Sequence, residues 1–218
     1  MRILIIGGHG KVARLLTPLL TQAGHEVTAV VRNPEHVTDV ESDGAHALVA
    51  DVQAMSHSAL TEVMQGMDAV VWSAGAGGGE PSRTYAVDRD AAIATMDAAQ
   101  DAGARRYVMV SYFGAGPDHG VPEDNAFFAY AEAKSTADAH LVDTDLAWTI
   151  VRPSALTDDA PTGEIETARA GASAGSVSRG DAAQVVADTL DRPGLAGRVI
   201  EFNTGGTPIA VALAAHEA

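Results

Sequence analysis

The chain begins with the stretch MRILIIGGHGKVA, residues 1–13, in which an apolar run passes directly into a glycine-rich turn. The spacing is Gly-x-x-Gly-x-x-Ala, with Gly7, Gly10 and Ala13 at its fixed positions. Glycines let the backbone turn sharply and approach a pyrophosphate, whose charge the N-terminus of the next helix meets. The stretch therefore predicts a strand–turn–helix unit that binds a dinucleotide, with a purely structural turn as the alternative. The turn residues that we predict to contact the cofactor are Gly7, His9, Gly10, Lys11 and Val12.

The rest of the chain repeats this alternation of short apolar runs and longer helical segments. Apolar runs without polar alternation are typical of strands buried on both faces of a parallel sheet. The predicted strands are Ile3–Ile6, Val27–Val31, Ala47–Val49, Ala69–Trp72, Tyr107–Val110 and Trp148–Val151. The helical segments between them are approximately 10–23, 34–42, 56–66, 84–102 and 125–141. This alternation predicts right-handed βαβ units and an α/β fold, a doubly wound parallel sheet with helices on both faces.

The pattern loosens after residue 152, where Gly, Ala, Ser, Thr and Asp dominate. We predict a loop with short strands at 154–178, followed by a helix from about Ser178 to Asp191. A strand at Val199–Phe202 and a terminal helix from Pro208 complete the chain's predicted elements. No linker separates two independent units, so the sequence predicts a single domain over residues 1–218. Segments 154–178 and 199–218 would form a small C-terminal elaboration on the substrate side.

Composition narrows the function. The 218 residues include 14 Lys and Arg against 29 Asp and Glu, a net charge of −15, which disfavours nucleic acid and anionic membranes as partners. There are no cysteines, which excludes disulfides, thiolate metal sites and a cysteine nucleophile, and the histidines lack metal-ligand spacing. We expect no metal and a small-molecule substrate. No signal peptide or membrane span is visible, so we expect a cytoplasmic protein. The sequence leaves the oligomeric state open.

The second predicted strand ends at Arg32, where a site that prefers NAD usually carries an acidic residue for the ribose 2′-hydroxyl. An arginine there can bind a 2′-phosphate through charge-assisted hydrogen bonds, although a solvated arginine is the alternative. NADP is therefore the expected cofactor, with NAD less favoured. Asp51 and Val52 follow the third strand and are placed for the adenine ring, unless Asp51 only caps a turn. The small residues after the fourth strand, Ser73, Ala74 and Gly75, leave room for the cofactor.

The predicted helix 125–141 carries Tyr130 and Lys134, with Ser111 at the end of the fifth strand. Side chains four residues apart share a helix face, and a nearby ammonium lowers the pKa of a phenol. We predict that Tyr130 exchanges a proton with a carbonyl or alcohol oxygen that Ser111 orients by hydrogen bonding. Asp88 and Asp90, by contrast, are predicted to be solvated charges.

Taken together, these motifs resemble the short-chain dehydrogenase/reductase superfamily, in particular its atypical, NmrA-like and NAD(P)-dependent epimerase/dehydratase-like branch. The resemblance covers essentially the whole chain and rests on Gly7-x-x-Gly10-x-x-Ala13, Asp51-Val52, Ser73-Ala74-Gly75, Arg105–Ser111, Tyr130-x-x-x-Lys134 and Val151-Arg152-Pro153. It implies a Rossmann-like fold, with Tyr130 as general acid/base and Ser111 on the substrate oxygen. It further implies that Lys134 holds the nicotinamide ribose and that Pro153 and Ser154 line the nicotinamide end.

The sequence departs from the family pattern in two places. Ser111 precedes Tyr130 by 19 residues, longer than in the short catalytic members, which puts its reach in question. The chain also lacks the extended C-terminal domain that grips a nucleotide sugar in the epimerases. The expected function is an NADP-dependent oxidoreductase acting on a small carbonyl, quinone or flavin-like acceptor. The alternatives are an NADP(H)-binding redox sensor, as among NmrA-like proteins, and a sugar-nucleotide epimerase or dehydratase.

Overall fold

The structure, a computed structural model, describes residues 1–77 and 79–217. Gly78, three residues after the predicted cofactor residue Gly75, and Ala218, in the predicted elaboration 199–218, lie outside the described residues. The strands are β1 (Arg2–Ile6), β2 (Glu26–Val31), β3 (His46–Val49), β4 (Ala69–Trp72), β5 (Arg106–Val110), β6 (Ala147–Pro153), β7 (Ala155–Thr157), β8 (Glu164–Thr167), β9 (Ser176–Ser178), β10 (Arg198–Thr204) and β11 (Thr207–Pro208). The α-helices are α1 (Lys11–Gln22), α2 (Val37–Ser42), α3 (His57–Met64), α4 (Pro81–Thr84), α5 (Ala92–Ala102), α6 (Phe128–Val142), α7 (Arg179–Leu190) and α8 (Ile209–Ala214).

The described residues form a nine-stranded sheet in the order β11-β8-β10-β6-β5-β4-β1-β2-β3. The seven strands from β10 to β3 run parallel, and β8 and β11 add an antiparallel edge. The chain leaves β1 first toward β2 and later returns to its other side as β4. This reversal opens a crevice at the carboxyl ends of β1 and β4, which is where doubly wound sheets bind ligands. The predicted doubly wound, Rossmann-like α/β fold in a single domain is confirmed.

Helices cover both faces of the sheet because successive residues of its strands point to opposite sides. Ile3 and Ile5 of β1 belong to a core with residues of α1 and α7, whereas Leu4 and Ile6 belong to a second core with residues of α3, α5 and α6. All four side chains are at most 1% exposed. The near-continuous apolar strands of the sequence are therefore explained by two cores, one on each face.

The main departure from the predicted elements lies in the long helix expected at 84–102. It is divided into α4, a π-helical segment Tyr85–Ala91, and α5. π-Helical turns are rare and frequently occur at functional sites. In the C-terminal part, β7 pairs with β9 in a small second sheet, which fits the predicted loop with short strands. Pro208 comes directly before α8 rather than opening it.

Candidate functional site

The turn between β1 and α1 needs its glycines because other backbone segments come very close. Gly7 has a φ of +84°, and a Cβ added there would lie 2.6 Å from the backbone N and Cα of Ala74 after β4. A Cβ on Gly8 would lie 2.6 Å from the Cβ of Ala29 on β2. α1 starts directly after the turn, with Gly10 as its N-cap and no side-chain capping bond. Its first N–H groups therefore have no partner within the helix and can bind an anion.

A cleft of about 310 Å³ lies beside this turn, at the carboxyl ends of β1 to β4. Nine of the residues predicted to bind the cofactor line it: Gly7, His9, Gly10, Arg32, Asp51, Val52, Ser73, Ala74 and Gly75. The cleft is also lined by residues that the sequence analysis missed, including Asn33, His36, Gln53, Arg83 and Val87. Arg83 lies on α4 and belongs to none of the motifs, so that no spacing pattern indicates it.

Arg32 is exposed at the cleft, and within residues 1–77 and 79–217 its guanidinium has no hydrogen-bond or ion-pair partner. The nearest acidic residue in sequence, Glu35, instead accepts a hydrogen bond from Asn33 at 3.2 Å. Asp51 also lines the cleft, and one of its carboxylate oxygens accepts the Gln53 backbone N–H at 3.1 Å. The turn role that was left open for Asp51 is therefore present, and its second oxygen is left for a ligand.

Five predicted cofactor residues do not line the cleft: Lys11, Val12, Lys134, Pro153 and Ser154. Lys11 points to Asp158, with Nζ and Oδ2 2.8 Å apart on the surface, and Val12 packs into the core. The Ser154 hydroxyl donates to the side chain of Asn203 and accepts the Gly175 N–H at 3.1 Å. Pro153 accepts the Phe113 N–H through its carbonyl oxygen at 2.9 Å. These contacts give Lys11 and Ser154 structural partners, because residues distant in sequence pack against them.

Tyr130 and Lys134 lie on α6, and Asp138 continues the same spacing one turn further on. Lys134 is 1% exposed and Asp138 is 2% exposed. The Lys134 ammonium donates to the thioether sulfur of Met109 on β5 at 3.0 Å. Because a thioether is a weak acceptor, this ammonium still lacks a strong hydrogen-bond partner among the described residues. Burial lowers the pKa of Lys134, and the charges of Asp138 and Asp88 oppose that change.

The pKa of Tyr130 is raised well above its ordinary value, first by burial and then by the negative charges of Asp88 and Asp138. The prediction that Lys134 lowers this pKa is therefore wrong for the structure. The two buried carboxylates near the lysine counteract its charge, and desolvation disfavours the phenolate. Tyr130 is consequently a neutral phenol at physiological pH, a form suited to giving a proton rather than taking one.

Ser111 does not present a free hydroxyl hydrogen. Its Oγ donates to Oδ2 of Asp138 at 2.7 Å, and the same oxygen lies 3.0 Å from the guanidinium of Arg152. Arg152 in turn contacts Glu201 on β10 at 3.3 Å. Ser111 can still accept a hydrogen bond, but its proton is directed at Asp138. The sequence analysis missed Asp138, although its i+4 spacing from Lys134 was a usable signal.

Asp88 is 1% exposed, so the prediction that it is a solvated charge is wrong. It lies in the π-helical segment and accepts the backbone N–H of Ala76 at 2.9 Å, which fixes the start of the loop after β4. Burial raises the pKa of Asp88, whereas the bond from Ala76 and the charge of Lys134 lower it. Asp88 and Asp138 therefore flank Lys134 with two buried carboxyl groups.

Three aromatic rings meet beside this charged group. The Phe127 ring lies 5.1 Å from those of Tyr112 and Tyr130, and the Tyr112 and Tyr130 rings are 5.6 Å apart. Phe127 is 42% exposed, so the cluster presents an apolar surface to solvent. Within the described residues, no group of three or more His, Asp and Glu side chains could hold a metal ion. A search of the same residues finds no helix that could span a membrane.

Comparison with known proteins agrees with this geometry. The family model described as NAD(P)H-binding matches residues 7–193. The Bacillus subtilis (strain 168) protein named Uncharacterized sugar epimerase YhfK is 33% identical over 215 residues, covering 98% of this chain and 99% of that protein.

Solved structures show the same similarity. A candidate NAD-dependent epimerase/dehydratase from Bacillus halodurans is 34% identical, with a TM-score of 0.89 over 98% of this chain and 99% of its own. ChuY, an anaerobillin reductase from Escherichia coli O157:H7, has a TM-score of 0.77 over 94% of this chain and 97% of its own, and at 23% identity it shares the fold alone. The chain therefore belongs to the NAD(P)H-binding family and has the atypical short-chain dehydrogenase/reductase fold of epimerase/dehydratase-like proteins.

Proposed function

We propose that this protein is an NADPH-dependent reductase of a small carbonyl, quinone or flavin-like acceptor, with Tyr130 as the proton donor. The observation that carries the proposal is the placement of Tyr130 and the buried Lys134 on α6, beside the aromatic cluster of Tyr112, Phe127 and Tyr130, in which the Phe127 ring is exposed. The raised pKa of Tyr130 supports the direction of reduction, because a neutral phenol is the form that can give a proton.

The residues present fit a nicotinamide dinucleotide. A Cβ at Gly7 or Gly8 would close the turn, and the first N–H groups of α1 are suited to a pyrophosphate. The buried Lys134 ammonium, which bonds a thioether, would gain strong acceptors from ribose hydroxyls. Arg32 supports NADP over NAD, because a guanidinium without a partner in the described chain suits a phosphate.

The mechanism assigns each step to a group of this chain. When bound, the reduced nicotinamide supplies the hydride. Tyr130 gives its phenolic proton to the substrate oxygen as the carbonyl becomes an alcohol, and the tyrosinate then regains a proton from solvent. Lys134 would hold the ribose hydroxyls of the cofactor and so position the nicotinamide. Ser111 is held by Asp138 and takes part only as a hydrogen-bond acceptor or by shaping the site.

The aromatic cluster favours a planar, apolar acceptor. The Phe127 and Tyr130 rings are 49° apart in orientation and leave an exposed edge against which a flat ring can pack. We propose that the segments 75–83, 114–125 and 154–176 complete the acceptor pocket. Gly78 of the first segment lies outside the described residues.

The testing experiment measures NADPH consumption with a panel of small carbonyls, quinones and flavins. Tyr130→Phe should bind NADPH normally and reduce carbonyls about 10²–10⁴-fold more slowly, because proton donation is lost. The matched control is Tyr112→Phe, which keeps the neighbouring ring and should retain activity. Unchanged carbonyl reduction by Tyr130→Phe would overturn the proton-donor assignment; quinones and flavins can draw their proton from water and do not test it.

A redox sensor is the second candidate. The commitment of the Ser111 proton to Asp138 favours it, because Ser111 then cannot donate a hydrogen bond to a substrate. A wild-type protein that binds NADPH but consumes none across the panel would support the sensor. The name of the Bacillus subtilis relative suggests a third candidate function, a sugar-nucleotide epimerase or dehydratase. Conversion of nucleotide sugars, added to the panel as further substrates, would reveal it.

A further inference from the structure

Two histidines form a stacked pair at the edge of the cleft. His9 comes from the glycine turn, and His36 ends the short 3₁₀ turn Pro34–His36 that follows β2. Their ring centroids are 3.6 Å apart and their planes differ by 8°. Both rings line the same cleft as Arg32. The pair therefore belongs to the end of the cleft where the strand β2 stops.

The two rings have different partners. His9 Nε2 lies 2.8 Å from a carboxylate oxygen of Asp39 on α2, and that hydrogen bond, with the charge of Arg14, holds the pKa of Asp39 below its usual range. The ring nitrogens of His36 have no hydrogen-bond partner among the described residues. Asp39 therefore hydrogen-bonds His9 directly, whereas it acts on His36 only through its charge.

Charged side chains from several parts of the chain surround the histidine pair. Arg14 of α1 bonds Asp43 at 2.7 Å and lies 3.4 Å from Asp39, so these three charges are mutually engaged. Glu35 is turned onto Asn33. The cleft itself adds Arg32, Arg83 and Asp51. Two protonated imidazoles whose centroids are 3.6 Å apart repel each other, so an anion bound at the pair favours a second proton there.

We propose that His9 and His36, together with Arg32, form a pH-dependent site for the phosphate monoester that distinguishes NADPH from NADH. Binding of that dianion brings a proton onto the pair, whereas binding of NADH does not. The inference rests on the proposed cofactor site, but not on any turnover. The affinity for NADPH should therefore fall as the pH rises, and with it the preference for NADPH over NADH.

The experiment measures dissociation constants for NADPH and NADH by nicotinamide fluorescence between about pH 6.5 and about pH 8. In this window the ligand phosphate is mostly a dianion, while histidines in general change charge. We expect the wild-type affinity for NADPH to fall about tenfold, the effect of one charge-assisted hydrogen bond, and that for NADH to stay constant.

Three variants sharpen the test. His36→Gln should bind NADPH weakly with no pH dependence, and His36→Arg should bind it tightly with no pH dependence, because its charge is permanent. His46→Gln, at the exposed start of β3, is the control and should behave as the wild type. Circular dichroism confirms that each variant is folded.

The inference is overturned if the pH dependence is equal for NADPH and NADH, or if it persists in His36→Gln. Loss of NADPH preference in Arg32→Ala without any pH dependence in the wild type would retain the cofactor site and reject the histidine pair. Failure of the wild type to bind NADPH at any pH would reject both.

Discussion

The candidate site has two halves, the cleft at β1 to β4 and the surroundings of Tyr130, and they differ in how deeply their charged groups are buried. The cleft at β1 to β4 is formed by backbone, glycines and side chains that reach solvent, among them Arg32, and its carboxylates and cations are partly exposed. The half around Tyr130 is formed by charged side chains packed inside the protein: Lys134, Asp88 and Asp138 are each at most 2% exposed.

Because of this difference, substitutions in the two halves should affect ligand binding and stability differently. In the cleft, close backbone approach shapes the site, and a surface charge can change with little effect on folding. Around Tyr130, each buried charge is balanced by its neighbours, so removal of one leaves another uncompensated. Substitutions of charged residues in the cleft should therefore change ligand preference without changing the free energy of unfolding. Substitutions around Tyr130 should change both.

The largest effect is expected for Asp138→Leu, which removes the carboxylate shared by Ser111 and Arg152 and leaves buried cations without it. The free energy of unfolding should fall by about 4 kcal/mol, as for other buried pairs that lose one partner. Urea unfolding measures it. The control is Asp158→Asn, whose partners Lys11 and Arg179 lie at the surface, and which should unfold like the wild type. Equal behaviour of the two variants would refute the distinction.

Gly7→Ala follows, and Gly24→Ala is its matched control. Both glycines have a φ of +84°, but only the added Cβ of Gly7 meets other atoms, since none lies within 4 Å at Gly24. Gly24→Ala should cost about 1 kcal/mol of unfolding free energy, from the left-handed backbone alone. Gly7→Ala should cost about 3 kcal/mol because overpacking is added, and it should weaken NADPH binding. Similar losses in both would mean that the close approach to Ala74 is easily relieved.

Arg32→Ala is expected to weaken NADPH binding about tenfold, the contribution of a charge-assisted contact, and to leave NADH binding and thermal stability nearly unchanged. Lys11→Ala serves as the control, because this nearby cation points to Asp158 and should affect neither cofactor strongly. Fluorescence titration gives both affinities. If NADPH and NADH binding weaken equally, Arg32 does not recognise the 2′-phosphate.

The smallest effect concerns pH. Because the pKa of Asp88 is raised in the folded state, its favourable contribution to stability is complete below the ordinary carboxyl pKa of about 4 and is lost as the pH rises through the raised value. Asp88→Asn keeps an oxygen for the Ala76 N–H and cannot titrate, so its stability should decline less than that of the wild type from about pH 4 to about pH 7. Urea unfolding at several pH values, with the exposed neighbour Asp90→Asn as control, measures the slope. Parallel slopes for Asp88→Asn and wild type would contradict the prediction.

Apolar periodicity predicts the six sheet strands from β1 to β6 within two residues at each end. It succeeds because buried parallel strands and amphipathic helices leave a local signature along the chain. The glycine turn is predicted for a similar reason, since its spacing directly encodes a backbone geometry. The nine cleft residues that were predicted all follow the carboxyl ends of strands, where doubly wound sheets place their ligands.

The missed features depend on packing between distant elements. Asp88 looks like a surface charge beside Arg89 and Asp90, and the π-helical turn that buries it has no clear local signal. The raised pKa of Tyr130 follows first from burial and then from two carboxylates 42 and 8 residues away in sequence, Asp88 and Asp138, which spacing to Lys134 alone does not reveal. Arg83 on α4 and His36 in the turn after β2 reach the cleft only through the path of the chain after β4 and β2.

Glu201 on β10 contacts Arg152 and also accepts the backbone N–H of Gly114 at 3.0 Å. This carboxylate therefore joins the last parallel strand to the loop after β5 and, through Arg152 and Asp138, to Ser111. The match to the family ends at residue 193, before β10 begins. A shortened chain cut at that boundary would retain every recognisable motif and yet lose the outer end of the polar chain behind Ser111. Dissection of this protein into a minimal nucleotide-binding fragment should therefore keep the residues through Thr204.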